Sequence, residues 1–456
     1  MPISTCSSCR APAMALPFTP MPFAGLSIIS CVTLQVGNER PLSAMNEALV
    51  IGAGIVGVST ALALQERGWT VTVIDRKEPG CETSFGNAGI LQREAVAPYA
   101  MPLGPGFLLG VLLGRRNDVR ARWRELAWQA GALVRYGFHS TPARHALLSA
   151  AYESLIRTSL AAHRDFIDAS GAGSLVRRTG YREYFRNPRV FEAAARRSKE
   201  MAARHGLNLA VMDAAALQAA EPAITEPGAG AIHWLDPWSV SNPGRLTTAY
   251  AAALVARGGH IVGAEVTAIR ATATGWTAKT AGRDWSAPHL VLAAGPWTPR
   301  LLAGLQIRVP MVYKRGYHRH YTAPVPLNVP MLDTDHGYVA TPVEQGLRIT
   351  TGAHLARLHL PPDYAQLASA ETAARGILDI GRADEIQPWT GTRPCLPDMI
   401  PLIGESTRLP RLWVNFGHGH QGLTLGPASG RHLAALMSSE PPATAPEPFL
   451  PARYGF

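Results

Sequence analysis

Apolar and polar residues follow one another in short, regular blocks over residues 47–76. The apolar triplet Leu49–Ile51 predicts a short buried strand, and Thr70–Ile74 predicts a second one. Between them, an apolar stretch from about Ile55 to Arg67 predicts a helix, which the following Gly68 can end in a left-handed conformation. The pattern therefore predicts a strand–helix–strand unit with parallel strands.

Glycine spacing in the first turn of this unit points to a ligand. Gly52, Gly54 and Gly57 form a G-x-G-x-x-G sequence, in which the glycines allow a tight turn, close approach of a pyrophosphate and close helix packing. Asp75 ends the second strand, where a carboxylate can accept hydrogen bonds from both ribose hydroxyls and favours FAD or NAD over NADP. We predict that this dinucleotide site comprises Gly52, Ala53, Gly54, Ile55, Val56, Gly57, Asp75 and Arg76.

The remaining pattern predicts a mixed architecture. Residues from about 120 to 206 are mostly helical in pattern, and a further helix is expected over Pro243–Gly258. The strand Leu290–Leu292 leads into Ala294 and Gly295, small residues that suit close approach of a cofactor. From Val309 to Thr351, short alternating runs predict an antiparallel sheet.

Composition and charge exclude several classes of protein. Of the 456 residues, 47% are hydrophobic and 17% charged, which excludes a disordered chain. The formal net charge of +10 comes mainly from arginines scattered through helical segments such as Ala193–His205. Because aromatic residues do not interleave with them, we predict no nucleic-acid surface. A mild attraction to an anionic membrane or an acidic partner stays open.

Residues 1–44 differ from the rest of the chain, and we expect a non-essential extension, disordered or created by a misassigned start before Met45. Cys6 and Cys9 have no second pair of ligands, so we predict no metal site. The odd number of cysteines fits a reducing, cytoplasmic location. The apolar run Phe107–Leu113 is too short to span a bilayer and is at most an interfacial patch, with half-buried packing as the alternative.

Three later motifs carry a family resemblance. Gly391–Gly404 (GTRPCLPDMIPLIG) resembles the G-x-R-P-x-x-P-D-x-x-P-x-I-G signature of the D-amino-acid oxidase superfamily. Asn415–Gly430 (NFGHGHQGLTLGPASG) resembles the glycine-rich loop and helix start that close over the flavin in that family. Glu82–Gly89 (ETSFGNAG) is similar to the matching stretch of bacterial D-amino acid dehydrogenases. The similarity extends from Met45 to about Met437 and implies FAD as the cofactor, held non-covalently unless Cys81 or Cys395 attaches it.

The resemblance also implies a domain plan. The implied fold is α/β (α+β overall), in which a Rossmann-like FAD-binding domain is interleaved with a substrate domain built on an antiparallel sheet plus helices. The FAD-binding domain is expected over residues 45–100, 225–308 and 386–440. The substrate domain is expected over residues 101–224 and 309–385, followed by a C-terminal tail over 441–456.

Site residues follow from the same motifs. Arg393 is expected to clamp a substrate carboxylate, with Tyr338 helping to hold it. His420 lies where glycine oxidases have a second arginine, and is either a substrate-side residue or a scaffold histidine. Trp234, Trp238 and Tyr338 are a guess at an aromatic pocket for cyclic substrates. The further cofactor contacts implied are Thr83, Ser84, Asn87, Ala88, Val266, Ala294, Gly295, Gly417, His418, Gly419, Gln421, Gly422, Leu423 and Thr424.

The implied reaction is oxidation of a D-amino acid, or of a cyclic imino acid such as D-proline or hydroxy-D-proline, by hydride transfer to flavin N5. The resemblance favours a quinone or another electron-transfer partner as acceptor, with the protein cytoplasmic or peripheral on the inner membrane. Three alternatives stay open: an oxygen-using glycine or sarcosine oxidase, the flavoprotein subunit of a heteromeric electron-transfer complex, and an NAD-linked dehydrogenase or regulator.

Overall fold

A computed structural model of the protein describes residues 46–114 and 116–456. The predictions for residues 1–44, including Cys6 and Cys9, lie outside the described residues. The helices are α1 (Ile55–Gln65), α2 (Pro105–Leu112), α3 (Trp123–Trp128), α4 (Ala130–His139), α5 (Pro142–Ser170), α6 (Pro188–His205), α7 (Ala214–Ala220), α8 (Pro243–Ala256), α9 (Thr298–Ala303), α10 (Ala365–Arg375) and α11 (Gly422–Met437). The first strands are β1 (Glu47–Ile51), β2 (Thr70–Asp75), β3 (Ile90–Leu91), β4 (Val119–Ala121), β5 (Val176–Arg177), β6 (Tyr181–Phe185), β7 (Leu209–Asp213), β8 (Gly230–Trp234), β9 (Trp238–Val240), β10 (His260–Gly263) and β11 (Ala268–Thr272). The later strands are β12 (Gly275–Lys279), β13 (Trp285–Ala287), β14 (His289–Leu292), β15 (Val312–Tyr321), β16 (Met331–Asp333), β17 (Tyr338–Val343), β18 (Gly346–Thr351), β19 (Ala353–Leu355), β20 (Trp389–Cys395), β21 (Leu402–Glu405) and β22 (Leu412–Phe416).

A mainly parallel six-stranded sheet has the order β10-β2-β1-β14-β22-β21, and only β21 runs antiparallel to its neighbour. Its central strands are buried on both faces, which explains their continuous apolar runs. Helices α1, α5, α8 and α11 contribute to the core on one side. The predicted strand–helix–strand unit at residues 47–76 is confirmed.

A second, ten-stranded sheet is mostly antiparallel. Its order is β4-β19-β15-β18-β17-β16-β6-β8-β7, and β20 pairs with β15. The alternating runs over Val309–Thr351 form β15 to β18, so the antiparallel sheet predicted there is confirmed. With both sheets and their helices, the mixed α/β fold class is confirmed.

Two glycines bring α11 directly against α1, although the two helices are far apart in sequence. A Cβ at Gly430 would lie 2.8 Å from the carbonyl carbon of Ser59, and one at Gly426 would lie 3.1 Å from Cγ1 of Ile55. Asn415 reinforces this contact because its side-chain amide donates to the hydroxyl of Thr60 over 2.9 Å. The N-termini of the two helices are thereby held in one fixed arrangement.

Candidate functional site

One continuous cavity of about 920 Å³ is lined by residues of both large sheets. Ile51, Asp75, Ala293 and Phe416 line it at the carboxyl ends of β1, β2, β14 and β22. Open α/β sheets bind ligands in this position, outside the carboxyl ends of their strands. The other end of the cavity lies against β15, β18 and β20 of the antiparallel sheet.

Asp75 is fixed at the end of β2 by backbone amides. Its Oδ2 accepts a hydrogen bond from the amide of Ala53 over 2.7 Å, and its Oδ1 accepts one from the amide of Lys77 over 3.0 Å. Burial raises the pKa of the Asp75 carboxyl above its ordinary value of 3.8. Beside it, the guanidinium of Arg76 lies 4.4 Å from the ring centre of Trp297. This end of the cavity thus presents the fixed carboxylate of Asp75 and, beside it, the guanidinium of Arg76 lying over an indole ring.

The glycine turn leaves its backbone open to the cavity. Gly52 has φ +115°, a value that favours glycine, and its missing side chain makes room for the backbone of Ala293. A Cβ on Gly57 would overlap the carbonyl oxygen of Gly52. Near Gly54, the hydroxyl of Ser84 accepts a hydrogen bond from the amide of Ile55 over 2.9 Å. The N-terminus of α1 therefore faces the cavity without a bulky side chain in front of it.

The loop before α11 forms another wall. Gly417 has φ +89° and Gly419 has φ +60°, so both use conformations that favour glycine. Between them, Nε2 of His418 is hydrogen-bonded to the hydroxyl of Ser429 over 2.9 Å. Burial lowers the pKa of His418 to about 3, so its imidazole is neutral at physiological pH. His418 thus ties the loop to the helix that follows it.

Most of the predicted cofactor residues line the cavity. These are Gly52, Gly54, Ile55, Val56, Asp75, Arg76, Thr83, Ser84, Asn87, Ala88, Val266, Ala294, Gly295, Gly417, His418, Gly419, Gly422 and Leu423. Ala53, Gly57, Gln421 and Thr424 do not line it, and their role as cofactor contacts stays a prediction. Each of the four supports the wall from behind, for example Gln421, which donates to Oε1 of Gln92 over 2.5 Å.

Arg393 lines the cavity from β20, where its guanidinium is already fixed. Its Nη1 donates to the carbonyl of Gly352 over 2.7 Å, and its Nη2 donates to the carbonyl of Thr351 over 3.0 Å. The group lies over Gly316 of β15, where a Cβ would come within 2.7 Å of Nη1. Burial lowers the pKa of Arg393, but a guanidinium starts high enough to stay charged. A preorganised cation therefore faces the cavity.

His420 also lines the cavity, and its ring contacts the ring of Tyr99 edge-on at 4.2 Å between centres. Burial, with further contributions from Lys314 and Arg393, lowers the pKa of His420 to about 3. Its imidazole is therefore neutral across the physiological range and can exchange hydrogen bonds without adding charge.

Tyr338 does not line the cavity, so its placement gives no support to the prediction that it holds a substrate carboxylate. Gly337 and Val339, its two neighbours, line the cavity, whereas Tyr338 points to the other face of the sheet and is 1% exposed. There it packs in a cluster that includes Tyr184 and Ile349. Because side chains of a strand alternate between faces, a shift of one residue along β17 decides whether a side chain lines the cavity or packs in the core.

The structure does not bring Trp234, Trp238 and Tyr338 to the cavity as an aromatic pocket for cyclic substrates. Trp234 and Trp238 are buried in core clusters and do not line the cavity. The aromatic side chains that line its substrate end include Tyr99, Tyr136, Tyr181 and Trp389. These four residues lie in four separate segments, so no single local motif marked them.

Gln92 and Lys314 are two further cavity residues that sequence reasoning missed. Gln92 connects the α11 wall to a buried carboxyl, because its Nε2 donates to Oε1 of Glu94 over 2.7 Å. Lys314 projects from β15, and its Nζ donates to the hydroxyl of Tyr136 over 2.9 Å. Neither lies in a recognisable motif, and only the alternation of β15 hinted at the position of Lys314.

Replacing Tyr338 by Phe tests whether this side chain contributes to substrate binding. We expect Tyr338→Phe to leave KM within about twofold of the parent, because the lost hydroxyl faces a core cluster and touches no ligand. Tyr99→Leu removes a ring that lines the cavity and is expected to raise KM. Steady-state kinetics of both variants check this. A Tyr338→Phe variant with a tenfold higher KM would support the prediction that Tyr338 holds the substrate carboxylate.

Glu94 makes stability depend on pH. Burial raises the pKa of its carboxyl from 4.5 to about 8, so the folded protein keeps a proton that the unfolded chain releases. Between these two values the contribution of Glu94 to the free energy of unfolding therefore falls with rising pH, by up to about 1.4 kcal/mol per pH unit. We expect Glu94→Gln to remove this contribution. The drop in Tm between about pH 5.5 and about pH 7.5 should be smaller in Glu94→Gln than in the parent, and equal drops would contradict the assignment.

Comparison with known proteins identifies the family. A profile described as FAD dependent oxidoreductase (DAO) matches residues 47–436. The chain belongs to this family of FAD-dependent oxidoreductases. The resemblance to the D-amino-acid oxidase superfamily is thereby confirmed, as is FAD as the cofactor.

Two relatives and one solved structure are similar to this FAD-dependent oxidoreductase. It is 32% identical to a D-amino acid dehydrogenase of Paramagnetospirillum magneticum, over 87% of this chain and 96% of the relative. It is 27% identical to a D-amino-acid oxidase of Bradyrhizobium diazoefficiens, over 89% and 98% of the two chains. Among solved structures, glycine oxidase from Geobacillus kaustophilus superposes with a TM-score of 0.67 at 21% identity, covering 89% of this chain and 98% of that one. The last comparison concerns the fold alone.

Over residues 46–114 and 116–456, no three His, Cys, Asp or Glu side chains are grouped so that they could hold a metal ion. Within the same residues, no helix combines the length and the apolar character needed to cross a bilayer.

Proposed function

We propose that this FAD-dependent oxidoreductase dehydrogenates a D-amino acid, with Arg393 holding the substrate carboxylate. The observation that supports this most is a fixed guanidinium lining the cavity with no carboxylate bonded to it among the described residues. A guanidinium in this state binds a carboxylate through paired hydrogen bonds. The D-amino acid dehydrogenase and D-amino-acid oxidase relatives point to the same substrate class.

We assign the cofactor contacts from the same cavity. Asp75 would hold the ribose, and the open turn at Gly52 and Gly54 with the N-terminus of α1 would hold the pyrophosphate. The N-terminus of α11 would lie at the ring system, where its dipole favours negative charge. Cys81 and Cys395, the cysteines in the described part of the chain, do not line the cavity, which supports non-covalent binding.

In this mechanism the protein mainly orients its substrate. When bound, FAD supplies the acceptor for the hydrogen and the electron pair of the substrate α-carbon. Arg393 fixes the carboxylate at one point, and the wall of Tyr99 and His420 limits how the rest of the molecule can turn. Neutral His420 leaves the charge of Arg393 intact for the carboxylate. No side-chain base is needed at the α-carbon, since the α-hydrogen would leave as hydride while the lone pair of the neutral amine forms the C=N bond. The resulting iminium would then lose a proton from nitrogen to give the imine.

Anaerobic mixing with a panel of amino acids tests the proposal. We expect D-amino acids to bleach the visible flavin absorbance, while their L-enantiomers, glycine and sarcosine bleach it much more slowly. Bleaching by glycine or sarcosine and fast reoxidation by oxygen would indicate an amine oxidase instead. A purified protein without flavin absorbance would overturn the proposal altogether.

We further propose that electrons pass to a membrane quinone through the wall formed by α2. Phe107 and Leu112 of this helix line the cavity, while Leu109 is 55% exposed on the outside, next to the exposed Leu113. A short apolar helix with exposed leucines is suited to lie in the interface of a bilayer. Such a position would bring an apolar acceptor to the mouth of the cavity.

Vesicle binding tests this position of α2. We expect the double variant Leu109→Glu/Leu113→Glu to lose co-sedimentation with vesicles of phosphatidylcholine and phosphatidylglycerol, because charge on an interfacial helix opposes its insertion. Ile386→Glu replaces another exposed apolar residue and serves as the matched control. Flavin reduction by substrate should be unchanged in both, since none of the three side chains lines the cavity. Equal vesicle binding by both variants would remove α2 as the docking element.

A further inference from the structure

Lys314 and Arg393 bring two cations to the same end of the cavity. They are directly opposite each other in the antiparallel pair β15–β20, and side chains at opposite positions project from the same face of a sheet. Both line the cavity. The substrate end of the cavity therefore carries two positive charges from neighbouring backbone positions.

The two cationic groups diverge from this common origin. The guanidinium of Arg393 lies over Gly316 and bonds the carbonyls of Thr351 and Gly352. The ammonium of Lys314 turns towards α4, where it meets the hydroxyl of Tyr136 and lies 4.3 Å from the centre of its ring. The two charges thus mark two separate points on the cavity wall.

No acidic side chain in the described part of the chain neutralises either cation. The acidic residues that line the cavity are engaged elsewhere: Asp75 with backbone amides, Glu82 with Arg76 and Lys77, Asp118 with Arg116, and Glu265 with Arg300. Glu94 lies behind Gln92, to which its carboxyl is hydrogen-bonded.

Hydrogen bonding at Lys314 is also incomplete. An ammonium has three donors, and the hydroxyl of Tyr136 is the acceptor that the structure gives it within the described residues. That hydroxyl donates in turn to the carbonyl of Tyr99 over 2.5 Å, so it is fixed with its lone pairs towards Lys314. The remaining donors of Lys314 are available to a ligand in the cavity.

Lys314 is half-buried, and its contact with the ring of Tyr136 supplies no full counter-charge, so an anionic ligand group would stabilise it. A substrate with one carboxylate would neutralise Arg393 and leave Lys314 uncompensated. We propose that Lys314 is a specificity-determining residue that binds a second anionic group, so that the substrate is an acidic amino acid of the aspartate or glutamate class. This inference rests on the proposed function, in which Arg393 holds the α-carboxylate.

The test compares charged and neutral isosteres on the parent holoenzyme and on Lys314→Met. In anaerobic reduction, we compare the limiting rate constant of flavin reduction divided by the half-saturating substrate concentration. We expect this ratio to be at least about tenfold higher in the parent for D-glutamate than for D-glutamine, and for D-aspartate than for D-asparagine. In Lys314→Met this preference should disappear, with little change for the amides. Lys314→Arg keeps the charge and is expected to retain most of the preference.

Ligand binding without turnover gives a second readout. In the parent, we expect glutarate to perturb the flavin spectrum at concentrations at least about tenfold lower than butyrate does. In Lys314→Met, the two ligands should act at equal concentrations. Flavin content and Tm of each variant verify folding. A parent that prefers the amides, or a Lys314→Met variant that weakens glutarate and butyrate alike, would overturn the inference. If no amino acid reduces the flavin, the proposed function fails, while the glutarate–butyrate comparison still decides the role of Lys314.

Discussion

Arg393→Lys should lower kcat/KM for the amino acid substrate by about 10²–10³-fold while leaving flavin content unchanged. A lysine keeps the positive charge but loses the planar fork, and it cannot keep both hydrogen bonds to Thr351 and Gly352 that now aim the group. Arg393→Ala should lose at least as much, because it also removes the charge. Anaerobic reduction at several substrate concentrations separates weaker binding from slower reduction.

A second arginine provides the control for this experiment. Arg375 lies on α10 with its side chain 47% exposed and forms a helical ion pair with Glu371. Arg375→Ala should change kcat/KM by less than about twofold, since exposed pairs of this kind contribute little. If Arg393→Ala retains FAD and is reduced as readily as the parent, the carboxylate is held elsewhere and the proposed orientation of the substrate is wrong.

Gly57→Ala should abolish flavin binding, although it adds a single methyl group. The new Cβ would overlap the carbonyl oxygen of Gly52, so α1 would have to move away from the turn that precedes it. Overpacking of this kind costs about 1–3 kcal/mol when side chains can adjust, and more where backbone meets backbone. We expect less than about a tenth of the parent flavin content, measured by the ratio of visible to protein absorbance.

Gly106→Ala is the matched control, because a Cβ at this glycine of α2 meets no atom within 4 Å. It should keep full flavin content and the Tm of the parent, or raise the latter slightly, since alanine is the better helix former. A Gly57→Ala protein with normal flavin content would mean that the contact between α1 and the turn can relax.

The nucleotide end of the site was predictable because its determinants are local. Gly52, Gly54, Gly57 and Asp75 lie within one strand–turn–helix–strand unit, where sequence spacing dictates spatial arrangement. Even there, the sequence does not distinguish residues that line the cavity from residues that pack behind its wall. Gly57 packs behind the turn, while Gly54 faces the cavity.

The substrate end was harder to predict because its residues meet only through sheet pairing. A motif does not state which face of β17 is buried, and Tyr338 packs on the face that meets α10 and its neighbours. Lys314 faces Arg393 through the register of β15 and β20, which are separated by some seventy residues of chain. Tyr99 contacts His420 although the two residues are far apart in sequence, and no periodic pattern connects them.

The close crossing of α1 and α11 has a consequence for how the holoenzyme is made. On the ribosome, the glycine turn emerges early, whereas its packing partner, with Gly426 and Gly430, emerges more than 350 residues later. Contacts of such long sequence separation form late, because loop closure must come first. Newly made chains should therefore take up the cofactor only after synthesis has passed α11, and the unfilled groove would be exposed to proteases until then.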